Sequence, residues 1–402
     1  MANNTDTSST FADNMALPIH RWYRYSAGFS ANWVKSVISD RIRETNNESL
    51  KVLDPFAGSA TTLLASDELG VHSWGFEPQP FVYRVAKAKL DWCKNINDFI
   101  ALGKEVLQRA SEDASEVGFD YPQIVKKCYS DSNLQEIEHL RKSLQAAETD
   151  KSEVFDLVWL AFVSILRPAS HAGTATWQYV LPNKKKANVG GALDLFKKKL
   201  DLMADDMRYF QNIGAKPAGT IFRHDARQSF NHDEKADLII TSPPYANNYD
   251  YADATRLEMS VLGEISGWGD LQSTVRPNLI RSCSQGVSRE RVHTYEYIED
   301  PLLEPIRDEL YEVCKRMEAE RAQHGGKKNY HTMIALYFLD MAQIWVHLRS
   351  QCSDGGKVCF VIGDSAPYGV YVPVDEWLGR LAVSAGFETY TFEKTRDRNV
   401  KW

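Results

Sequence analysis

Two consecutive strand–helix units after residue 50 constrain the fold most strongly. The segment "LKVLDPFAGSATTLLASDELG" (50–70) predicts a strand, a tight glycine turn and a helix. The segment "VHSWGFEP" (71–78) predicts a short strand ending at Glu77, and "QPFVYRVAKAKLDWCKNI" predicts the helix after it. This β-α-β-α alternation implies a parallel sheet with helices on both faces, so we expect an α/β protein.

Further strands are predicted far along the chain, in "GTIFRHDARQ" (219–228), "ADLIITSPPY" (236–245), "KVCFVIGDS" (357–365) and "ETYTFEK" (388–394). The segments 95–215 and 250–328, which separate them, have helical or irregular patterns. We therefore expect an open, mostly parallel sheet of about seven strands with two largely helical insertions. The sheet domain is expected to comprise 20–94, 216–249 and 329–402, after a disordered lead over 1–19. In such a sheet a ligand lies at the carboxyl ends of the strands.

The composition indicates a globular protein without an overall basic field. The chain has 402 residues, 43% of them apolar and 25% charged, and a formal net charge of −7. The six cysteines are scattered without a CxxC pair, which indicates reduced thiols in a cytosolic protein and no zinc site. The longest apolar run, 154–166, is too short to span a bilayer, and the N-terminus lacks the features of a signal peptide.

Basic residues occur in local clusters within the two insertions. They are Lys184–Lys186 near Trp177 and Tyr179, Lys197–Lys199, Arg289 with Arg291 and His293, and Lys327–Lys328. A charge run is usually a solvated face, but confinement to the insertions favours contact of some of them with nucleic-acid phosphates.

The turn "DPFAGSATT" (54–62) predicts a ligand site rather than a phosphate cradle. Gly58 permits a positive φ and a close approach to the backbone, and the next helix presents free N–H groups. The turn matches neither GxxxxGK[ST] nor GxGxxG. Asp54 before the turn suits a ligand with an amino group. An ordinary strand–helix turn is the alternative for this motif alone.

Two acidic residues at other strand ends accompany this turn. Glu77 ends the second strand about 20 residues past the glycine turn, where an acidic side chain can hold ribose hydroxyls. Asp225, in "RHDAR", is placed to accept from an adenine amino group. Taken singly, each could be a solvated residue at a strand end; together with the turn, the ribose role of Glu77 is favoured.

The elbow "TSPPY" (241–245) ends a buried strand with two residues that cannot donate a hydrogen bond. Free carbonyls and the Ser242 hydroxyl can accept both hydrogens of an NH₂ group, while Tyr245 offers a flat surface for a planar ring. Holding those hydrogens orients the nitrogen lone pair towards an electrophile. A base in a duplex reaches such a site only when flipped out.

The turn and elbow together resemble the AdoMet-dependent amino-methyltransferases of DNA, the N4-cytosine and N6-adenine class. The similarity extends through "TSPPYANNYDYADATRLEMSVLG" and "HTMIALYFLDMAQIWVHLRSQCSDGGKVCFVIGDS". It also includes "HRWYRYSAGFSANWVKSVI", which is similar to the segment that closes over the methionine end of AdoMet in this family. The resemblance covers about 20–90 and 219–400.

The resemblance implies a Rossmann-like class I methyltransferase fold, a flipped base in double-stranded DNA and a bacterial or archaeal cytosol. It implies AdoMet as methyl donor, no metal, no membrane, and a restriction or defence-system protein as a potential partner. In this family a serine before Pro-Pro favours cytosine N4, and Asp or Asn favours adenine N6. The implied base-holding residues are Ser242, Pro243, Pro244 and Tyr245. The implied cofactor residues are Tyr25, Phe29, Asp54, Pro55, Phe56, Gly58, Thr61, Glu77, Asp225, Ala226 and Ser242.

Three departures from the family pattern carry expectations of their own. Ala60 replaces the usual third glycine and should narrow the pocket slightly. Asp225 lies only 17 residues before Ser242, so the DNA-recognition elements are expected in the two insertions. The family's sheet normally ends in a hairpin, but the sequence ends at Trp402 soon after "ETYTFEK". We therefore expect that the second strand of this hairpin is missing because the chain is truncated, or that another segment supplies it.

Three other functions are weighed against this one. A 5-methylcytosine enzyme needs a cysteine nucleophile in a Pro-Cys context, and no cysteine here follows a proline. An RNA or protein amino-methyltransferase remains an alternative, because a related Pro-Pro-Tyr elbow serves guanine and glutamine substrates. A DNA-binding subunit without transferase activity is disfavoured by the intact elbow and acidic residues.

Overall fold

A five-stranded parallel sheet forms the centre of the structure, a computed structural model that describes residues 11–25, 28–115, 120–149, 152–172, 186, 188–287 and 290–394. The strands are β1 (Lys51–Asp54), β2 (His72–Phe76), β3 (Gly219–Phe222), β4 (Ala236–Thr241) and β5 (Cys352–Phe360). Their order is β3-β2-β1-β4-β5, and all neighbours are parallel. This is the order of a doubly wound sheet, and it confirms the α/β expectation.

The described residues do not contain the expected seven strands. No strand is formed by the described residues 388–394, where "ETYTFEK" was expected to pair. The sheet ends at β5, whose outer edge has no partner strand among the described residues. Residues 388–394 are exposed, and the Tyr390 ring packs on Gly379 of α14, where an added Cβ would lie 2.5 Å from Cδ2. This contact with a helix side takes the place of ladder hydrogen bonds to β5. Residues 395–402 lie outside the described part.

Fourteen α-helices are assigned in the described ranges, and several bounds agree closely with the sequence patterns. They are α1 (Ala31–Thr45), α2 (Thr61–Leu69), α3 (Pro80–Leu90), α4 (Ile96–Glu112), α5 (Gln123–Cys128), α6 (Asp131–Glu148), α7 (Phe155–Ala169), α8 (Ala192–Asn212), α9 (Arg256–Leu262), α10 (Trp268–Asp270), α11 (Thr294–Ile298), α12 (Arg307–Gln323), α13 (Tyr330–Gln351) and α14 (Val374–Ser384). No described helix is long and apolar enough to cross a membrane. All six cysteines are free thiols.

Alternation along the strands assigns the helices to the two faces of the sheet. Val52 and Leu238 pack with Val34 and Ile38 of α1 on one face. Leu53 and Ile239, one residue further along each strand, belong to the core that α13 and α14 cover on the other face. Because side chains alternate along a strand, continuous apolar runs mark strands that are covered on both sides.

The segment before α1 differs from the expected disordered lead. Residues Phe11–Ala16 form a 3-10 helix, and the side chain of Asn14 is fully buried. It donates to the Phe29 carbonyl at 2.8 Å and accepts from the Ala31 amide at 2.9 Å. Paired polar groups fix a segment whose composition alone suggests disorder. They hold residues 28–31 next to the sheet, where Phe29 packs with Val52 and Leu238.

Polar side chains of the first insertion also hold this N-terminal segment. Asp206 of α8 accepts from the Ile19 amide at 3.0 Å and from the Trp22 indole at 2.9 Å. Lys199 of α8 donates to the Trp22 carbonyl at 3.1 Å. The insertion therefore supports a wall of the site described next.

Candidate functional site

The ends of four strands converge on one cavity at the carboxyl edge of the sheet. Its volume is about 760 Å³ including the open mouth, within the usual range for small-molecule sites. It lies between β1 and β4, where the strand order switches from one side of β1 to the other. Doubly wound sheets bind their ligands at this switch point. The lining residues are Tyr25, Gly28, Phe29, Pro55, Phe56, Ala57, Gly58, Ser59, Thr61, Glu77, Pro78, Asp225, Ala226, Ser242, Pro244, Tyr251, Asn278, Leu279 and Ile280.

The turn after β1 has a left-handed backbone at two positions. Gly58 has φ +51°, and a Cβ there would lie 3.0 Å from Cε1 of Tyr25, so the turn needs glycine for conformation and for space. Ala60 has φ +69° and is fully buried. Contrary to the expectation of a narrower pocket, Ala60 is absent from the cavity wall. Its departure from glycine instead places an alanine in a conformation that costs about 1–2 kcal/mol.

Asp54 does not line the cavity but stabilises the turn from the protein interior. Its carboxylate is fully buried and accepts from the Phe56 amide at 3.0 Å, from the Thr62 hydroxyl at 2.6 Å and from the Thr241 hydroxyl at 2.5 Å. Burial raises the pKa of Asp54 to about 6, although these three hydrogen bonds oppose the shift. The carboxylate thereby ties the turn to α2 and to the end of β4.

Glu77 is a buried carboxylate that does line the cavity. Only 7% of the residue is exposed, and burial raises the pKa of Glu77 to about 8, opposed by the Gln79 and Gly58 amides. The Gln79 amide donates to Oε1 at 2.8 Å. A buried carboxylate with one oxygen so occupied favours a ligand that donates through hydroxyl groups.

Asp225 lies on the cavity wall with its carboxylate already held by a neighbour. Arg227 donates to Oδ2 at 2.6 Å through Nη2 and at 3.1 Å through Nε, and its backbone amide donates to Oδ1 at 3.0 Å. No pattern in the sequence predicts this fork, which orients Asp225 and leaves it lone pairs for a further donor.

The elbow after β4 has the carbonyl arrangement expected from its prolines. No described residue donates to the carbonyls of Ser242, Pro243 or Pro244. The Ser242 hydroxyl donates to the Val361 carbonyl at 3.1 Å, so its lone pairs are available to a donor. The Tyr245 amide, the first N–H after the prolines, donates to the Tyr251 hydroxyl at 3.2 Å.

The residues expected to bind a cofactor meet here, with one exception. Asp54 lies beneath the cavity, and all the others line it. Of the expected base-holding residues, Ser242 and Pro244 line the cavity, whereas Pro243 and Tyr245 do not. The sequence analysis missed Gly28, Ala57, Ser59, Pro78, Tyr251, Asn278, Leu279 and Ile280. A glycine, alanine or leucine carries no functional signal in a single sequence.

The cavity is acidic and aromatic. Glu77 and Asp225 supply its carboxylates, and Tyr25, Phe29 and Phe56 supply rings. No lysine or arginine of the described chain lines it. Such a wall offers acceptors to hydroxyl and amino donors and ring faces to a cation, and it supplies no cation that would hold a phosphate. The described members of the basic clusters lie elsewhere; Trp177, Tyr179, Lys184, Lys185 and Arg289 fall outside the described ranges. Among those ranges no group of three His, Cys, Asp or Glu side chains could hold a metal ion.

Comparison with known proteins gives distant but nearly full-length similarity. The chain is 24% identical over 430 aligned positions to the Type II methyltransferase M.BsoBI of Geobacillus stearothermophilus, covering 94% of this chain and 80% of that protein. It is 23% identical over 406 positions to the Type II methyltransferase M.AvaI of Nostoc sp. and of Anabaena variabilis, covering 94% and 81%. No family model matches, and no solved structure matches significantly. The chain is therefore similar to Type II methyltransferases along nearly its whole length.

Proposed function

We propose that the protein is a site-specific DNA methyltransferase that transfers a methyl group from AdoMet to the exocyclic amino group of a flipped base. The observation that carries the proposal is the shared cavity. The wall around Glu77, which offers carboxyl acceptors and no cation for a phosphate, and the amino-accepting elbow at Ser242 line the same space. The similarity to Type II methyltransferases supports the same reaction.

The residues present fit AdoMet. The sulfonium of AdoMet supplies an activated methyl group, and the molecule carries no phosphate. Glu77 would hold the ribose hydroxyls, Asp225 would accept from the adenine amino group, and the rings of Tyr25 and Phe29 would face the cation. Asp54 acts through the turn by fixing its position relative to β4.

The elbow would hold the target amino group. Its free carbonyls and the Ser242 hydroxyl accept the two amino hydrogens, which turns the nitrogen lone pair towards the methyl group. The ring of Tyr245 packs on Gly363, where an added Cβ would lie 3.2 Å from Cε2, so one face of the ring is supported. We propose that the other face stacks on the base.

We propose cytosine N4 as the acceptor, since the residue before Pro-Pro is a serine. Adenine N6 is the second candidate, because the same carbonyls can accept from either amino group. A restriction endonuclease of the same specificity is the partner that fits this function.

Incubation with labelled AdoMet and separate DNA, RNA and protein samples tests the proposal. We expect label in DNA alone and N4-methylcytosine on mass analysis of its nucleosides; N6-methyladenine would correct only the base. Labelled RNA or protein beside unlabelled DNA would overturn the function. The Tyr245→Ala variant should reduce turnover with AdoMet affinity nearly unchanged, whereas Tyr371→Ala, at an exposed tyrosine, should retain both.

A further inference from the structure

A second cavity lies beside the first and has a different chemical character. Its volume is about 300 Å³, and it shares Tyr251, Leu279 and Ile280 with the first cavity. Neither Ser242 nor Pro244 lines it. Because the elbow faces the first cavity, the amino group to be methylated belongs there, and the second cavity is available to another part of the substrate.

Arg281 is a fixed guanidinium on the wall of this second cavity. The fully buried carboxylate of Asp340 accepts from its Nε at 3.1 Å and from its backbone amide at 2.9 Å, and also from its Nη2. Arg227 approaches the same carboxylate with Nη1 at 3.5 Å from Oδ2. No described residue accepts a hydrogen bond from Nη1 of Arg281, so one edge of an anchored fork remains for a ligand.

Arg276 lies on the same wall, but its guanidinium is occupied by protein acceptors. Its Nη1 donates to Gln272 at 2.9 Å, and its Nη2 donates to Asp250 and, at 3.2 Å, to Gln285. Its Nε is buried and has no hydrogen-bond partner among the described residues. Because this N–H is enclosed by protein, Arg276 supplies positive charge and holds Asp250 in place, and the free edge of Arg281 is the donor left for a ligand.

We propose that the second cavity binds a backbone phosphate of the DNA next to the flipped base, with Arg281 donating to its oxygens. This inference rests on the proposed function. The free edge of the Arg281 fork matches the acceptor oxygens of a phosphate. Tyr251 lines both cavities, and its hydroxyl accepts from the Tyr245 amide of the elbow, so the second cavity lies next to the elbow, as a phosphate beside the flipped base requires. Asp340 is then a positioning residue for Arg281.

The charge balance sets the expected size of the effect. Arg281 is paired with Asp340 and Arg276 with Asp250, so the cavity is close to neutral before a ligand binds. Binding there depends on fixed donor geometry more than on a strong positive field. We expect loss of the Arg281 contact to weaken DNA binding roughly tenfold, as for one hydrogen bond to a charged group.

The test measures DNA binding by fluorescence anisotropy between 50 and 200 mM salt, a range in which phosphate contacts are resolved. The duplex is one that mass analysis shows to be methylated. For Arg281→Gln we expect roughly tenfold weaker binding and a salt slope smaller by about 0.9, with AdoMet affinity unchanged. Arg43→Gln is the matched control, because this arginine is 77% exposed at the end of α1, near the amino edge of the sheet. It should bind DNA as the wild type does.

A change in the DNA keeps the test valid if the variant folds poorly. Replacing single phosphates beside the target base by neutral methylphosphonates should weaken wild-type binding roughly tenfold at one position. The same replacement should not weaken Arg281→Gln further. If no replacement weakens the wild type, or if the salt slope of Arg281→Gln equals that of the wild type, the inference is overturned.

Two further outcomes separate related explanations. Inorganic phosphate binding that depends on Arg281, with no methylphosphonate effect, would assign the cavity to small anions and overturn the DNA assignment. Wild-type methylation of DNA with an unchanged slope for Arg281→Gln would sink this inference alone. Arg281-dependent DNA binding without label transfer would support the inference and sink the proposed function.

Discussion

At the residue scale, the position of Gly58 requires both a positive φ and space next to Tyr25. Alanine substitutions at Gly58 and at Gly214 can distinguish these two requirements. Gly58→Ala should weaken AdoMet binding about tenfold or more and lower the free energy of unfolding by about 1–2 kcal/mol, because φ is +51° and the new methyl meets Tyr25. Gly214 has φ +75° with nothing within 4 Å of an added Cβ. Gly214→Ala should therefore show the same loss of stability with normal AdoMet affinity. Calorimetry measures the AdoMet affinity of both variants, and urea unfolding measures their stability. Equal AdoMet affinities would show that Tyr25 does not contribute to the binding site.

Glu77 predicts a pH dependence of stability with a definite sign. Its pKa is about 8 in the folded protein against an ordinary 4.5, so the folded state holds the proton more tightly. The contribution of Glu77 to the free energy of unfolding is largest below pH 4.5. It decreases as the pH rises towards 8 and does not change further above that. The loss is on the order of a few kcal/mol, since one pKa unit corresponds to about 1.4 kcal/mol.

Urea unfolding of wild type and Glu77→Gln at pH 5 and pH 8 measures this effect. The wild type should lose more stability between the two values than the variant does, because glutamine does not titrate. Asp54, whose pKa is about 6, contributes with the same sign in both proteins and cancels in the difference. Parallel profiles would show that Glu77 is not buried as described.

At the element scale, the sequence predicts turns, caps and strands that depend on neighbouring residues. It does not predict the cavity wall that depends on contacts between distant residues. The strand–turn–helix at 50–70 and the Ser30 cap of α1, whose hydroxyl accepts from the Trp33 amide at 3.3 Å, depend on neighbouring residues. The cavity wall at 278–280 depends instead on Asp340, 59 positions after Arg281 in the sequence. A pattern search along one sequence finds turns and strands, whereas an apolar wall segment such as "NLI" carries no period or motif.

An ion pair joins the two insertions, and the sequence of either insertion does not predict it. Arg167, at the end of α7, donates to the fully buried Glu258 of α9 at 2.5 Å through Nε and at 3.1 Å through Nη2. Glu258→Gln should lower the free energy of unfolding by about 3–5 kcal/mol, because it breaks a buried pair by removing one charge. Asp205→Asn breaks the exposed pair with Arg208 and should cost at most about 1 kcal/mol. Equal costs in urea unfolding would mean that the pair does not couple the insertions.

At the scale of the whole molecule, the cavity wall is assembled from distant parts of the chain. Tyr25 and segments near 28–29, 55–61, 77–78, 225–226, 242–251 and 278–280 contribute to it. The polar contacts that hold these segments come from α8 for the N-terminal part and from α13 for the 276–287 loop. The first insertion therefore supports the N-terminal wall of the cavity, and the second insertion supplies the 276–287 loop that α13 holds.

Hydrogen exchange with and without AdoMet tests this assembly. Ligand binding should slow amide exchange in 56–61 and equally in 278–280, because a ligand that touches all walls stabilises each segment against local opening. Helices α4 to α6 contribute no residue to the cavity and should exchange at unchanged rates, which makes them the internal control. Protection confined to 56–61 would mean that the 276–287 loop does not close over the cofactor. The second cavity, which shares that loop, would then have to be reassigned.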